Sequence, residues 1–162
     1  MWHKDLSVPV TFSLRKYQLQ DFEALYAIDQ ACYQPAIAYS RRDLRNYLRF
    51  PGADCLVAEA DNQAAGFILT AHDDRMGYII TIDVLELYRR HGMGTMMLQE
   101  AERRLAASGV REVSLETATN NASAIAFWKK HGYRTQGVRN DYYPGGIDAY
   151  SMIKTLEPKS SD

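Results

Sequence analysis

Cysteine, net charge and long apolar runs are all scarce in this chain, and each shortage removes a class of protein. The two cysteines, Cys32 and Cys55, stand far apart with no CxxC or Cys/His spacing. Neither a disulfide framework nor a zinc site is expected, and a reducing, cytoplasmic setting is the default. The formal net charge is −1, so no overall field argues for direct nucleic-acid binding. No window approaches the roughly eighteen apolar residues of a membrane span. The opening Met1-Trp2-His3-Lys4-Asp5 has no apolar stretch resembling a signal peptide, so membrane association and secretion are not expected. His72, His91 and His131 lie on different segments with no partner at metal-ligand spacing, and no metal is anticipated.

What the chain does contain is the balance of a globular protein, 46% apolar and 24% charged over 162 residues. That length predicts one domain spanning the whole chain, with loose ends at about residues 1–7 and 157–162. Val8 to Tyr17 alternates as a strand, and Gln20 to Tyr33 carries Phe22, Leu25, Ile28 and Ala31 at helical spacing. Ser40 can cap a second helix with Leu44, Tyr47 and Leu48 on one side. Arg41, Arg45 and Arg49 fall on its opposite face and are expected to be solvated. Cys55 to Ala60 and Gly66 to His72 form a hairpin, followed by a strand from Met76 to Val84. Met97, Leu98, Ala101 and Leu105 line a long helix ended by Gly109. Val110 to Thr117, Tyr133 to Val138 and Ala149 to Leu156 read as strands, with a short helix over Asn121 to His131. This order predicts an α/β fold, a mixed central sheet of about six to seven strands with helices on both faces.

Between the fourth strand and the long helix lies Arg89-Arg90-His91-Gly92-Met93-Gly94-Thr95. A helix start leaves main-chain N–H groups without partners, and with the positive end of the helix dipole they suit a diphosphate. Gly92 and Gly94 would let the anion approach the main chain. Glycines can equally serve a plain strand-to-helix turn, and a pattern this short arises by chance in about one such chain in six. A dinucleotide fingerprint would need a third glycine, and a P-loop would need Gly-Lys-Ser/Thr. Neither is present.

Arg89, Gly92 and Gly94 match the Gln/Arg-x-x-Gly-x-Gly/Ala signature of the GNAT superfamily, which the chain resembles. Asn120 to Tyr133, an Asn before a helix and Gly plus an aromatic after it, is similar to the second half of that fold. Arg139 to Pro144, followed by Asp148 to Met152, resembles the RimI-type protein N-terminal acetyltransferases. The resemblance extends over about residues 10 to 156 and departs at Val84-Leu85-Glu86, where members usually carry Val-x-Pro. It implies acetyl-CoA as cosubstrate and a primary amine as acceptor, in particular a protein or peptide N-terminus. A small amine or a lysine side chain is the alternative acceptor, and a non-catalytic CoA-binding sensor is the alternative of another class. The resemblance further implies that Ile82, Asp83 and Val84 lie along the pantetheine arm. Arg89, Arg90, His91, Gly92, Met93, Gly94 and Thr95 would form the pyrophosphate segment, and Asn121 would touch the cofactor.

An α-amine with a pKa near 8 is largely protonated at neutral pH, so transfer to it needs a base. Glu116, near the end of a strand where α/β folds gather ligands, matches the RimI-type base. A main-chain N–H at Val84 or a neighbour could receive the oxyanion. Where RimI-type enzymes carry an acidic tyrosine this chain has Trp128, whose indole cannot release a proton. Another tyrosine, Tyr133, Tyr142 or Tyr143, or solvent would then protonate the thiolate. Trp128 itself reads as a core aromatic. Tyr142 and Tyr143 could also wall a slot for the acceptor.

Overall fold

Segments rich in β-branched and aromatic residues assemble into one seven-stranded sheet in the computed structural model, which describes residues 10–157. The strands are β1 (Phe12–Lys16), β2 (Asp54–Ala60), β3 (Gln63–His72), β4 (Met76–Val84), β5 (Glu112–Ala118), β6 (Arg134–Tyr143) and β7 (Ile147–Thr155), in the spatial order β1-β2-β3-β4-β5-β7-β6. Helices α1 (Phe22–Cys32) and α2 (Arg41–Leu48) follow β1, α3 (Met93–Ala107) follows β4, and α4 (Ala122–Lys130) follows β5. The expected α/β fold with helices on both faces is what forms. Val8, Pro9 and both expected loose ends, apart from Glu157, lie outside the described residues.

Alternation along β3 assigns the two faces. Phe67 and Leu69 point to one side, where they pack with Phe22, Leu25 and Ile28 of α1, Leu44 of α2 and Val57 of β2. Ile68 points to the other, against Met93, Met97, Leu98, Ala101 and Leu105 of α3 together with Val113, Leu115 and Met152. Each fully buried side chain of this kind contributes about 1.5–3 kcal/mol of transfer free energy. Charge pairs tie the layers at their rims. Arg104 of α3 forks onto Asp54 of β2 at 2.6 and 3.1 Å, and Lys154 of β7 reaches Glu102 of α3 at 2.7 Å. Among the described residues no helix is long and apolar enough to cross a membrane.

Several boundaries shift for local reasons. Ser40 caps α2 as expected, accepting a bond from the Asp43 N–H at 3.1 Å. The expected strand from Val110 begins at Glu112, because the Val110 N–H closes α3 by bonding the Leu105 carbonyl. β6 outruns its expected end at Val138, because a hairpin partner carries it through a bulge to Tyr143, paired with Ile147. Nearly all of β6 is exposed, so it lacks the alternation that marks a strand in sequence. The arginine face of α2 is exposed, as expected, and makes local contacts there. Arg41 pairs with Glu23 at 2.5 Å and lies 4.2 Å from the Tyr26 ring centre, and Arg45 lies 4.3 Å above Phe22.

Candidate active site

β4 and β5 are parallel neighbours, yet their pairing stops at Tyr78 and Ser114. β4 continues to Val84 and β5 to Ala118 without touching in register, so the sheet opens at the carboxyl ends of both strands. A register shift in β4 opposite Leu69/Thr70 accompanies the divergence, as bulges do where a strand must be re-aimed. In open α/β sheets such a crevice is where ligands enter.

The inner edge of the crevice follows from antiparallel pairing. The Leu85 N–H bonds the Ala65 carbonyl at 2.9 Å, which makes Ala65 and Leu85 a bonded pair. By alternation Phe67 and Asp83 are bonded too, while Ile68/Ile82 and Gly66/Val84 are the unbonded pairs. The main-chain groups of Ile82 and Val84 therefore face the gap, and those of Asp83 face β3. The Asp83 side chain points beneath α1 and is 1% exposed, so Asp83 offers the crevice neither backbone nor side chain. The carbonyls along this edge are already engaged. Tyr39 Oη donates to Ile80 at 3.2 Å, Tyr33 Oη to Ile82 at 3.1 Å, and Arg89 Nε to Val84 at 2.9 Å, with Cys32 Sγ also at 3.4 Å from Val84. Among the described residues, what this pairing leaves free on Ile82 and Val84 is the N–H. These caps from Cys32, Tyr33 and Tyr39 escape sequence reading, because they come from a helix end and a loop about fifty residues before β4.

Beyond β4 the chain makes a 3-10 turn at Glu86–Tyr88 and enters α3. Arg90 and Gly92 adopt φ of 67° and 82°, and Met96 N–H to the Gly92 carbonyl, at 3.0 Å, is the first bond of the helix. The N–H groups of Met93, Gly94 and Thr95 precede it with no intrahelical acceptor, and among the described residues no side chain caps this end. Arg90 and His91 are exposed beside it. Arg89 is not part of this cradle, since its guanidinium folds back to Val84. Gly94 has a second use. A Cβ there would sit 3.3 Å from the Phe127 ring of α4, so its smallness also serves helix packing. Thr95 Oγ1 lies 3.0 Å from His131 Nε2, and burial lowers the pKa of this histidine. Asn121 caps α4, its carboxamide oxygen accepting from the Ala124 N–H at 3.1 Å and from Ser123 at 3.2 Å. Only its amide NH₂ is left for a ligand.

Glu116 stands on the β5 wall, with 22% of its side chain exposed, and Arg139 Nε of β6 lies 3.3 Å from its Oε1. Val113 and Leu115 face α3, so alternation turns Glu116 towards the opposite face, that of α1 and α2. The β6–β7 hairpin brings Tyr142 and Tyr143 there, their rings 4.9 Å apart and edge to face. Across from them Tyr39 and Tyr47 pack at 5.2 Å. Burial, the largest cause, raises the pKa of Tyr142, Tyr143 and Tyr39, so these phenols stay protonated at neutral pH. Tyr39 and Tyr47 carried no motif in the sequence. Trp128 is a core residue, 5% exposed and edge to face with Phe127 at 5.1 Å and Tyr133 at 5.2 Å. Tyr133, one of the expected proton donors, gives its hydroxyl hydrogen to Glu102 at 3.0 Å and is unavailable to the crevice.

Comparison with known proteins agrees with this geometry. The model of the acetyltransferase (GNAT) family matches residues 22–133, and the chain belongs to that family. It is an acetyl-CoA-dependent N-acetyltransferase. An N-alpha-acetyltransferase of Sulfurisphaera tokodaii is 28% identical, covering 90% of this chain and 93% of its own length. The N-alpha-acetyltransferase MAK3 of Arabidopsis thaliana is 28% identical over 82% of this chain and 70% of its own. The crystal structure of the ribosomal-protein-S18-alanine N-acetyltransferase from Escherichia coli superposes with a TM-score of 0.82 at 23% identity, over 94% of this chain and 98% of that one. That likeness shows the shared fold.

Proposed function

We propose that this enzyme acetylates the α-amine of a protein or peptide N-terminus, with Glu116 as general base. The observation that carries the reading is the crevice itself. Free amides of Ile82 and Val84 line one wall, and a carboxylate stands on the other beside a tyrosine-lined slot. The N-alpha-acetyltransferase relatives support the choice of acceptor.

In this mechanism the unpartnered amides of Met93, Gly94 and Thr95, with Arg90 and His91 close by, hold the pyrophosphate of acetyl-CoA. Ile82 and Val84 donate to the pantetheine arm and to the acetyl carbonyl, where negative charge grows as the amine nitrogen bonds to the carbonyl carbon. Asn121 adds its amide NH₂. Glu116 takes the proton that the attacking amine sheds, directly or through one water, and Arg139 must yield the carboxylate oxygen it occupies in the resting site. Tyr142 and Tyr143 wall the acceptor slot and donate hydrogen bonds. The C–S bond then breaks, and solvent protonates the CoA thiolate, which is a tolerable leaving group with a thiol pKa of about 8.5.

Glu116→Gln is expected to lower kcat about a hundredfold while CoA affinity by calorimetry stays the same. Turnover by the variant equal to wild type would remove Glu116 from the mechanism, and no thiol release by either protein would favour a CoA sensor. Mass spectrometry of products from peptides with differing first residues, set against polyamines and free amino acids, tests the acceptor. Acetylation of the small amines alone would overturn the protein-directed reading.

A further inference from the structure

Two carboxyl groups are buried between α1 and β4, and the mechanism above uses neither. Asp29 of α1 is 0% exposed and Asp83 of β4 is 1% exposed. One oxygen of each has an ordinary donor. Asp29 Oδ2 accepts from the Tyr39 N–H at 2.7 Å, and Asp83 Oδ1 from the Thr81 hydroxyl at 2.5 Å. The other two, Asp29 Oδ1 and Asp83 Oδ2, are buried with no hydrogen-bond partner among the described residues, and the two carboxyl groups lie close enough to act on each other's charge. Two adjacent buried anions would repel at low dielectric. Burial, the largest cause, raises both groups above the usual carboxylate range. Two such groups side by side hold at most one negative charge between them.

The location matters because Asp83 sits between Ile82 and Val84, whose amides face the crevice. Asp29 holds Tyr39, and the stretch from Asp29 to Tyr39 includes the three side chains, of Cys32, Tyr33 and Tyr39, that reach the β4 carbonyls. We propose that Asp29 and Asp83 share a single proton and act as positioning residues. Through it α1 and the segment after it are fastened to the crevice edge of β4, and the Ile82 and Val84 amides are held where the thioester must lie. The inference rests on the functional reading above, which places acetyl-CoA on that edge. Removing the proton sets two charges against each other and loosens the fastening, so the grip on acetyl-CoA weakens as pH rises.

Other groups near the pair do not titrate in the same range. Cys32 and Tyr33 at the end of α1, Tyr39 beyond it and Cys55 on β2 face it, and the Arg89 guanidinium lies beside Cys32. Burial pushes the Cys32 thiol up to about 11 and raises Cys55, Tyr33 and Tyr39 as well. All four remain neutral up to about pH 10. Because Asp83 is raised in the folded state, its contribution to stability is present at low pH and lost as pH rises through the folded value.

The test compares wild type with Asp29→Asn between about pH 6 and 10, reading KM for acetyl-CoA, kcat, CoA affinity by calorimetry and the thermal midpoint. The carboxamide introduced by Asp29→Asn would keep the acceptor for Tyr39 and donate a permanent N–H to Asp83, so the link persists without a removable proton. In wild type KM is expected to rise about tenfold across the alkaline range with a parallel fall in thermal midpoint, and both slopes should flatten in Asp29→Asn. Asp83→Asn, which presents the amide from the other side, should flatten them too. Asp29→Leu breaks the link and should raise KM at every pH. Slopes that persist unchanged in both carboxamide variants, with CoA binding intact, overturn this proposal and leave the functional reading standing. Failure of the wild type to bind CoA at any pH overturns both.

Discussion

Gly92 and Gly94 look alike in the sequence, but each answers a different demand. Gly92 has φ of 82° with nothing within 4 Å of a would-be Cβ, whereas Gly94 has an ordinary helical φ and the Phe127 ring at 3.3 Å. Gly92→Ala should therefore cost about 1–2 kcal/mol from left-handed backbone alone, whatever stands at residue 127. Gly94→Ala should cost stability through Phe127, and pairing it with Phe127→Leu should give less than the sum of the two losses. Denaturant unfolding of the four variants checks this, and strict additivity at Gly94 would refute the packing role. Trp128 teaches the complementary lesson. Its position is where the family resemblance places a tyrosine, yet its neighbours are Phe127 and Tyr133, so it supplies packing and no proton.

The joint between β1 and α1 depends on one fork. Arg15 donates to both oxygens of Asp21, at 2.7 and 2.8 Å, and Asp21 also accepts from the Gln18 N–H at 2.8 Å. The Arg15 hydrogen bonds, as the largest cause, hold the Asp21 carboxyl below the usual carboxylate range. A depressed folded pKa means that the unfolded chain binds the proton more readily, so this contribution is present above about pH 4 and is lost as pH falls further. The thermal midpoint of wild type should fall on acidification below about pH 4, and Asp21→Asn should show a lower midpoint at pH 7 with a shallower acid slope. An acid slope unchanged by the substitution would assign acid lability elsewhere. Glu23 and Glu100 are lowered too, by Arg41 and Arg103, but these pairs stand at the surface where water and salt screen them.

Taken as one body, the sheet is an incomplete plane. Pairing between β4 and β5 ends at Tyr78 and Ser114, so one parallel seam opens while the antiparallel seams on either side stay paired. Hydrogen exchange in the presence of CoA is expected to slow at Ile82, Val84, Gly94 and Thr95 and to stay the same at Phe67 and Asp83, whose N–H groups already serve the β3–β4 ladder. At a hundred times the dissociation constant, the coenzyme should add about 2.7 kcal/mol of stability. Protection spread evenly along β4 would contradict the assignment of edges. An indentation of about 580 Å³ lies elsewhere, between β1 and the far flank of α3, where it is lined by Arg15, Leu56, Glu100 and Arg103. An open surface groove of this kind lacks the convergent free amides that distinguish the crevice.

Periodicity alone was enough for most elements, because the apolar stripe of α3 and the run from Met76 to Val84 are set by which residues must leave water. The glycine segment before α3 was legible for the same local reason, since a helix start dictates its own unpaired amides. The extension of exposed β6 beyond Val138 was not, because that length comes from pairing with β7 and leaves no pattern of burial. The capping of β4 by Cys32, Tyr33 and Tyr39, the pairing of Arg139 with Glu116, and the meeting of Asp29 with Asp83 were hidden as well. Each joins residues distant in the chain, and such contacts exist only once hydrophobic packing has laid α1 across the sheet and the β6–β7 hairpin has docked beside β5. Local propensity fixes the kind and rough place of most elements; proximity in three dimensions sets where some of them end, which carboxylate is paired and which amides stay free.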